Sequence, residues 1–198
     1  MSLFDVMAAS HNGACFDYLG RKLQIPEGEA AHAVAALLPV LTLALDGWIS
    51  QREGMVEFLN ALGEEGYGPA RTSASFFNDM RFRDRGVSLL RKWRDAGRLD
   101  NVALAEAASR AGLKPETTAL LLPWLAVLIV AMVQMKAQRP LGWLARDIDG
   151  GDKAENPFLF LAGRLAGGQK PESRAPVRRM IGALLGLDAG GSRSPRTA

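Results

Sequence analysis

Between Glu116 and Lys136 the chain runs for nineteen residues, Thr117 to Met135, without a charged side chain. As a helix rising 1.5 Å per residue, a run of that length reaches across the hydrocarbon of a bilayer. It serves equally as the axis of a helical bundle, because a helix apolar on every side has to be covered by something. Pro123 inside the run, Gln134 at its end and basic residues on both flanks (Arg110 and Lys114, then Lys136 and Arg139) give no orientation signal for a membrane. The expectation is a central helix of a soluble protein, with membrane association through 117–135 as the competing reading.

Ala and Leu supply 58 residues, against 20 for Val, Ile and Thr together, and that imbalance favours helices through side-chain entropy. An all-β fold is excluded on this ground. One cysteine, Cys15, rules out a disulfide framework, and 48% apolar with 23% charged residues describes a folded chain rather than a disordered one. At 198 residues the chain can bury a sizeable core. No Lys or Arg precedes Arg21 and no long apolar stretch follows Met1, so a secretory signal is missing and the expected address is the cytoplasm.

The first helical hairpin is expected from about Asn12 to Ser50. Phe16, Leu19 and Leu23 mark a short helix, and after Gln24-Ile25 a long apolar helix follows, with Pro26 at its first position. Glu27 and Glu29 then complement the helix dipole, His32 is a packing residue, and Pro39 of Leu37-Leu38-Pro39 should kink the helix by freeing the Ala35 carbonyl. A second hairpin repeats the scheme: Val102 to Ala111 is amphipathic, Gly112 suits the residue after the helix, Pro115 opens the next helix, and Leu121-Leu122-Pro123 echoes the earlier tripeptide. Met55–Leu62 and Arg85–Ala96 read as helices, and glycine-rich Gly63–Ser75 as a loop. The fold class is all-α: a multihelical domain over 1–138 of two hairpins with proline-kinked apolar helices. A helical C-terminal tail follows over 139–198, punctuated by Gly150-Gly151, Gly167-Gly168 and Gly190-Gly191. Pro157–Ala166 and Pro176–Leu187 are its two short helices, tethered by flexible segments, with a disordered end from Ser192.

The order of these motifs resembles the bacterial domain-of-unknown-function 937 family, also called YidB-like. The resemblance rests on Leu3-Phe4-Asp5, the break plus Leu-Leu-Pro of the first hairpin, the turn from Ala111 to Glu116, the second Leu-Leu-Pro, and Asn156-Pro157 followed by Gly167-Gly168. It covers residues 1–138 and, loosely, the tail. It implies an all-α, soluble, cytoplasmic bacterial protein with a helix-turn-helix-like arrangement, and no activity or cofactor. The chain departs from that pattern in having Ile25 and Lys114 where a serine cap is usual, and Arg91-Lys92-Trp93-Arg94 where an apolar stretch is usual.

Charge is uneven along the chain: residues 1–70 carry 3 basic and 9 acidic side chains, 71–98 carry 8 and 3, 99–163 carry 6 and 7, and 164–198 carry 7 and 2. In the first basic segment Arg81, Arg83, Arg85, Arg91, Lys92 and Arg94 interleave with Phe76, Phe77, Phe82 and Trp93, a mixture suited to gripping phosphates and stacking on bases. A solvated helix face with its aromatics turned into the core explains the same pattern. Leu104 to Leu121 reads as helix-turn-helix around Ala108 and Gly112, yet the second helix becomes wholly apolar after Thr118 and offers a DNA groove almost nothing to read with. In the last segment Val177, Met180, Ile181, Leu184 and Leu185 form an apolar stripe beside Arg178 and Arg179. That stripe is the candidate contact for a partner helix, for an anionic membrane surface, or for the chain's own domain.

Catalytic patterns are weak. His11 and Cys15 stand four apart with Gly13 between them and no third group to orient them. Asp147, Asp149 and Asp152 around Gly150-Gly151 lack calcium-loop register. No catalytic residue, metal site or cofactor is expected. The functional expectation is a non-enzymatic module contacting a protein partner or a second copy of itself, with nonspecific nucleic-acid binding through 71–98 and 164–198 as the alternative.

Overall fold

The computed structural model describes residues 2–26, 28–64, 67, 69–149, 156–167 and 174–187. Among them are ten α-helices and no strand: α1 (Leu3–Ala9), α2 (Cys15–Leu23), α3 (Glu29–Ile49), α4 (Arg52–Gly63), α5 (Pro69–Thr72), α6 (Met80–Asp95), α7 (Asn101–Arg110), α8 (Pro115–Asp149), α9 (Pro157–Ala166) and α10 (Arg174–Leu185). The all-α expectation holds.

Short polar side chains set several helix starts. At α1 the Ser2 Oγ accepts from the Asp5 N–H at 3.2 Å while the Asp5 carboxylate accepts from the Ser2 N–H at 2.7 Å, a reciprocal capping box. Asp100 takes the N–H groups of Val102 (2.8 Å) and Ala103 (3.1 Å) at the head of α7. At its other end Gly112, with φ +70°, reverses the chain while Leu113 donates to the Ala108 carbonyl and Gly112 to that of Ser109. The start of α3 differs from expectation. Gly28 occupies the left-handed region (φ +81°), which a right-handed helix cannot continue, so the helix opens at Glu29 and Pro26 lies in the preceding turn. Glu27 lies outside the described residues. His32 is exposed rather than packed, since its place on α3 turns it to solvent.

Both Leu-Leu-Pro prolines sit inside unbroken helices. The carbonyl that each leaves without a helical donor belongs to a solvent-facing residue, Ala35 or Ala119, where water can take its place. Gly63–Ser75 is more structured than a loop: α5 and a 3₁₀ turn over Ala74–Asn78 are held down by buried Tyr67, Ala70, Phe76 and Phe77.

Helix α8 is the axis of the molecule and touches every other described helix. All thirteen residues from Leu121 to Val133 are buried, so the middle of the charge-free run is enclosed by protein on all sides, while Ala119, Leu120 and Met135 near its ends face solvent. Two helices, α3 and α8, have the length and hydropathy to cross a membrane, and the most apolar stretch of α8 is 78% buried here against 50% for α3. α6 packs tightly against the axis, its Gly86 lying directly on the Pro123 backbone.

The division expected at residue 138 falls inside α8, and the helices beyond it share the same core. α9 lies antiparallel to α4, pinned at both ends. Asn156 caps α9 by accepting from Phe158 and Leu159 N–H and donates its amide to the Gly63 carbonyl at the end of α4 (3.0 Å). At the other end the Arg52 guanidinium donates to the Leu165 carbonyl (2.9 and 2.7 Å) and to that of Ala166 (2.8 Å). α10 packs on α8 and α3, and Arg178 pairs with Asp46 at 3.1 Å. The expected tethers, 150–155 and 168–173, and the end from 188 lie outside the described residues.

Candidate functional site

On α6 the basic side chains and their aromatic neighbours part company. Phe76, Phe77, Phe82 and Trp93 are all buried in the core, so no ring is available for a base to stack on. Arg81 folds back onto Asp79, donating from Nε at 3.0 Å and Nη2 at 2.7 Å. That bond, first of all, holds the Asp79 carboxyl below its ordinary range. Lys92 pairs with Glu57 at 2.6 Å, and Arg85 lies over the Tyr67 and Phe82 rings near Glu64. Arg91 and Arg94 are exposed and Arg83 is half-buried, with no ion pair to any of the three among the described residues. Six side chains that look alike in sequence thus divide into a paired set and an outward set.

The apolar stripe of the tail is covered by the chain itself. Val177, Ile181 and Leu185 are buried in the common core, and Met180 and Leu184 pack partly buried against it, because α10 finds its nearest apolar surface on α8 and α3. The candidate partner-helix contact is therefore occupied from within. The second helix of the helix-turn-helix reading is α8, whose burial from Leu121 onward keeps it out of any groove. Asp147 and Asp149 fall in the last turn of α8, while Asp152 lies outside the described residues, which hold no group of three or more potential metal ligands.

His11 and Cys15 do not share a helix face. His11, Asn12 and Gly13 have φ of 57°, 57° and 85°, a left-handed turn that only the glycine adopts without strain, and Cys15 begins α2 beyond it. Burial pushes the Cys15 thiol up to about 11, with Ser10 pulling weakly the other way, so the sulfur is a neutral core group. His11 is 6% exposed, its ring set among Tyr18, Phe76 and Phe77, and Nδ1 lies 3.1 Å from the Ser10 Oγ. Burial lowers its pKa. The Ser73 backbone acts in the opposite sense, yet Nε2 makes no aligned hydrogen bond. Beside this turn opens a cleft of about 550 Å³ lined by Val6, Ala9, Ser10, His11, Asn12, Arg71, Thr72, Met132 and Met135. Sequence reasoning reached the His11–Cys15 pair and missed the cleft, whose far wall comes from α5 and α8.

A second feature without a sequence signal is the outer face of the last third of α8. The buried core narrows to Ala137, Leu141 and Ala145 there, four residues apart, and the opposite side carries Met135, Arg139, Trp143 and Arg146 into solvent. Trp143 is 65% exposed, whereas Trp48, Trp93 and Trp124 are buried. No protein-family model, curated protein or solved structure matches the chain.

Proposed function

We propose that this protein is a non-enzymatic cytoplasmic module that docks a protein partner on the outer face of α8 between Met135 and Arg146. The exposed Trp143 carries the reading. An indole held on a rigid helix, with Arg139 one turn before it and Arg146 one turn after, joins the two residue types that dominate binding energy at protein interfaces. The cations call for an acidic partner surface with an apolar centre. Likeness to the YidB-like family belongs to the same proposal and rests on the order of the motifs in residues 1–138.

A photo-crosslinking residue placed at 143 in living cells, with the same residue at exposed Val102 as control, tests this reading. A discrete adduct from 143 alone, abolished by Arg139→Glu with Arg146→Glu, is the expected result. Equal yields from both positions, or indifference to the charge reversal, would overturn it. Washing cell membranes at alkaline pH checks the compartment: release into the supernatant is expected, and retention in the pellet would return α8 to the bilayer.

Nonspecific nucleic-acid contact is the alternative, and outward Arg83, Arg91 and Arg94 support it through phosphates alone. Anisotropy of labelled DNA across a salt series separates the two. Log-linear weakening with salt that disappears when these three become Ala puts nucleic acid first, and a flat signal leaves protein docking in front.

A further inference from the structure

Helix α3 is the second charge-free element of the chain. From Ala30 to Leu45 it carries no Asp, Glu, Lys or Arg, and only 50% of its most apolar stretch is buried. His32, Ala35, Pro39 and Leu43 stand three or four residues apart on its outward side, all exposed, with Ala36 and Val40 half-buried beside them. Leu43 is 61% exposed. An uncharged stripe that runs this far along a helix calls for an apolar neighbour.

Cations gather where the stripe ends. On one side of α3 Arg178 donates to the Asp46 carboxylate at 3.1 Å. On the other the Arg98 side chain lies across Gly47, its Cδ 2.9 Å from where a Cβ would stand. Between α3 and α10 opens a cleft of about 490 Å³ whose walls hold Arg174, Arg178 and Arg179 against one carboxylate, Asp46. Arg174 and Arg179 have no ion pair among the described residues. The excess belongs to the whole region, since residues 164–198 carry 7 basic and 2 acidic side chains. Unpaired guanidinium groups suit phosphate oxygens, which they can take two at a time.

The two features together narrow the partner. Nucleic acid supplies phosphates but nothing apolar for Leu43, and the stripe offers no ring for a base to stack on. A protein partner would find no aromatic anchor on a stripe of Ala, Pro and Leu. An anionic bilayer surface supplies both needs at once, phosphates at the headgroup level and an acyl boundary just beneath.

We propose that the C-terminal half of α3 and the first turns of α10 dock peripherally on an anionic bilayer, Leu43 entering the acyl boundary and Arg174, Arg178 and Arg179 taking headgroup phosphates. The other end of α3 carries Glu29, which keeps that end off the surface. A contact of this kind yields to an alkaline wash, unlike an inserted helix. The surface shares no residue with the Trp143 face, and the two readings stand or fall independently.

The test is cosedimentation of the full chain with phosphatidylcholine vesicles, with and without phosphatidylglycerol. Binding to the anionic vesicles alone, weakening as salt is raised, is expected. Arg174→Gln with Arg179→Gln leaves the Arg178–Asp46 pair in place and should cost at least about tenfold in affinity. Arg91→Gln with Arg94→Gln, an equal loss of charge on α6, should cost less than about twofold. Leu43→Asn should cost about fivefold, and as a surface change it keeps the proposal testable if the arginine variant does not fold. A solvatochromic dye on Leu43→Cys should shift to the blue on anionic vesicles, and buried Cys15 leaves the introduced thiol as the one that reacts. No vesicle binding, equal losses from the two arginine pairs, indifference to Leu43→Asn, or an unshifted dye would each overturn the proposal. So would binding of duplex DNA in place of vesicles through Arg174 and Arg179, or a dimer that Leu43→Asn dissolves.

Discussion

At Gly86 the backbone of α6 rests on the Pro123 carbonyl, so even a methyl group has to push the two helices apart. Backbone cannot rotate away as a side chain would. Gly86→Ala is therefore expected to lower stability by about 2–3 kcal/mol, read from urea melts. Cys15 makes a different kind of prediction. Its thiol ionises near 9 in the unfolded chain and near 11 in the folded one. Its contribution to stability is complete below pH 9 and is lost as pH rises through 11, because in that window only the unfolded chain gives up the proton. The loss amounts to about 2–3 kcal/mol. Melts at pH 8 and pH 10.5 should show it in the wild type and show a smaller fall in Cys15→Ala. Tyr67, raised by burial to about 12, keeps a residual slope that begins above pH 10. His11 acts at the other end of the scale. Its lowered pKa leaves stability intact above 6.5 and withdraws part of it in acid, where the unfolded imidazole takes up a proton first.

Among the elements, α9 depends most on single side chains. Asn156 both caps it and ties it to the end of α4, so Asn156→Ala should cost about 1–2 kcal/mol and raise amide exchange in α9 before any other helix. Faster exchange spread evenly over the chain would contradict this local role. The same helix shows where reading the sequence succeeds and fails. Asn156-Pro157 announces a helix start through local chemistry, and Gly112 likewise announces the end of α7. Nothing near residue 156, however, spells out a bond to a carbonyl 93 positions earlier, so a docked helix reads as a tethered one. Ser2 and Asp5, three residues apart, also carry the local signal of a capping box, yet no helix was expected before Asn12 and α1 was missed. The His11 cleft was not legible either. Arg71 and Met132 reach it from helices far away in the chain, and a left-handed turn at His-Asn-Gly has only its glycine as a signal.

For the molecule as a whole, the composition and the charge-free run were enough to give an all-α bundle with a buried axis. The arrangement around that axis was not legible, because an all-round apolar helix accepts neighbours on any side. The axis also predicts how the protein unfolds. Leu128 is fully buried in the middle of α8, so Leu128→Ala should lower stability by about 2–5 kcal/mol while near- and far-ultraviolet dichroism still report one shared transition. Separate transitions would mean that α9 and α10 melt apart from the rest. The position of α8 along the chain has a consequence for synthesis. The ribosome makes α1 to α7 first, and their inward faces have no axis to close on until α8 emerges. More than a hundred residues of half-finished, sticky chain must wait at the exit tunnel. Slow translation ahead of Pro115 should therefore expose this protein to aggregation and to capture by nascent-chain chaperones, whereas slow translation after Asp149 should not.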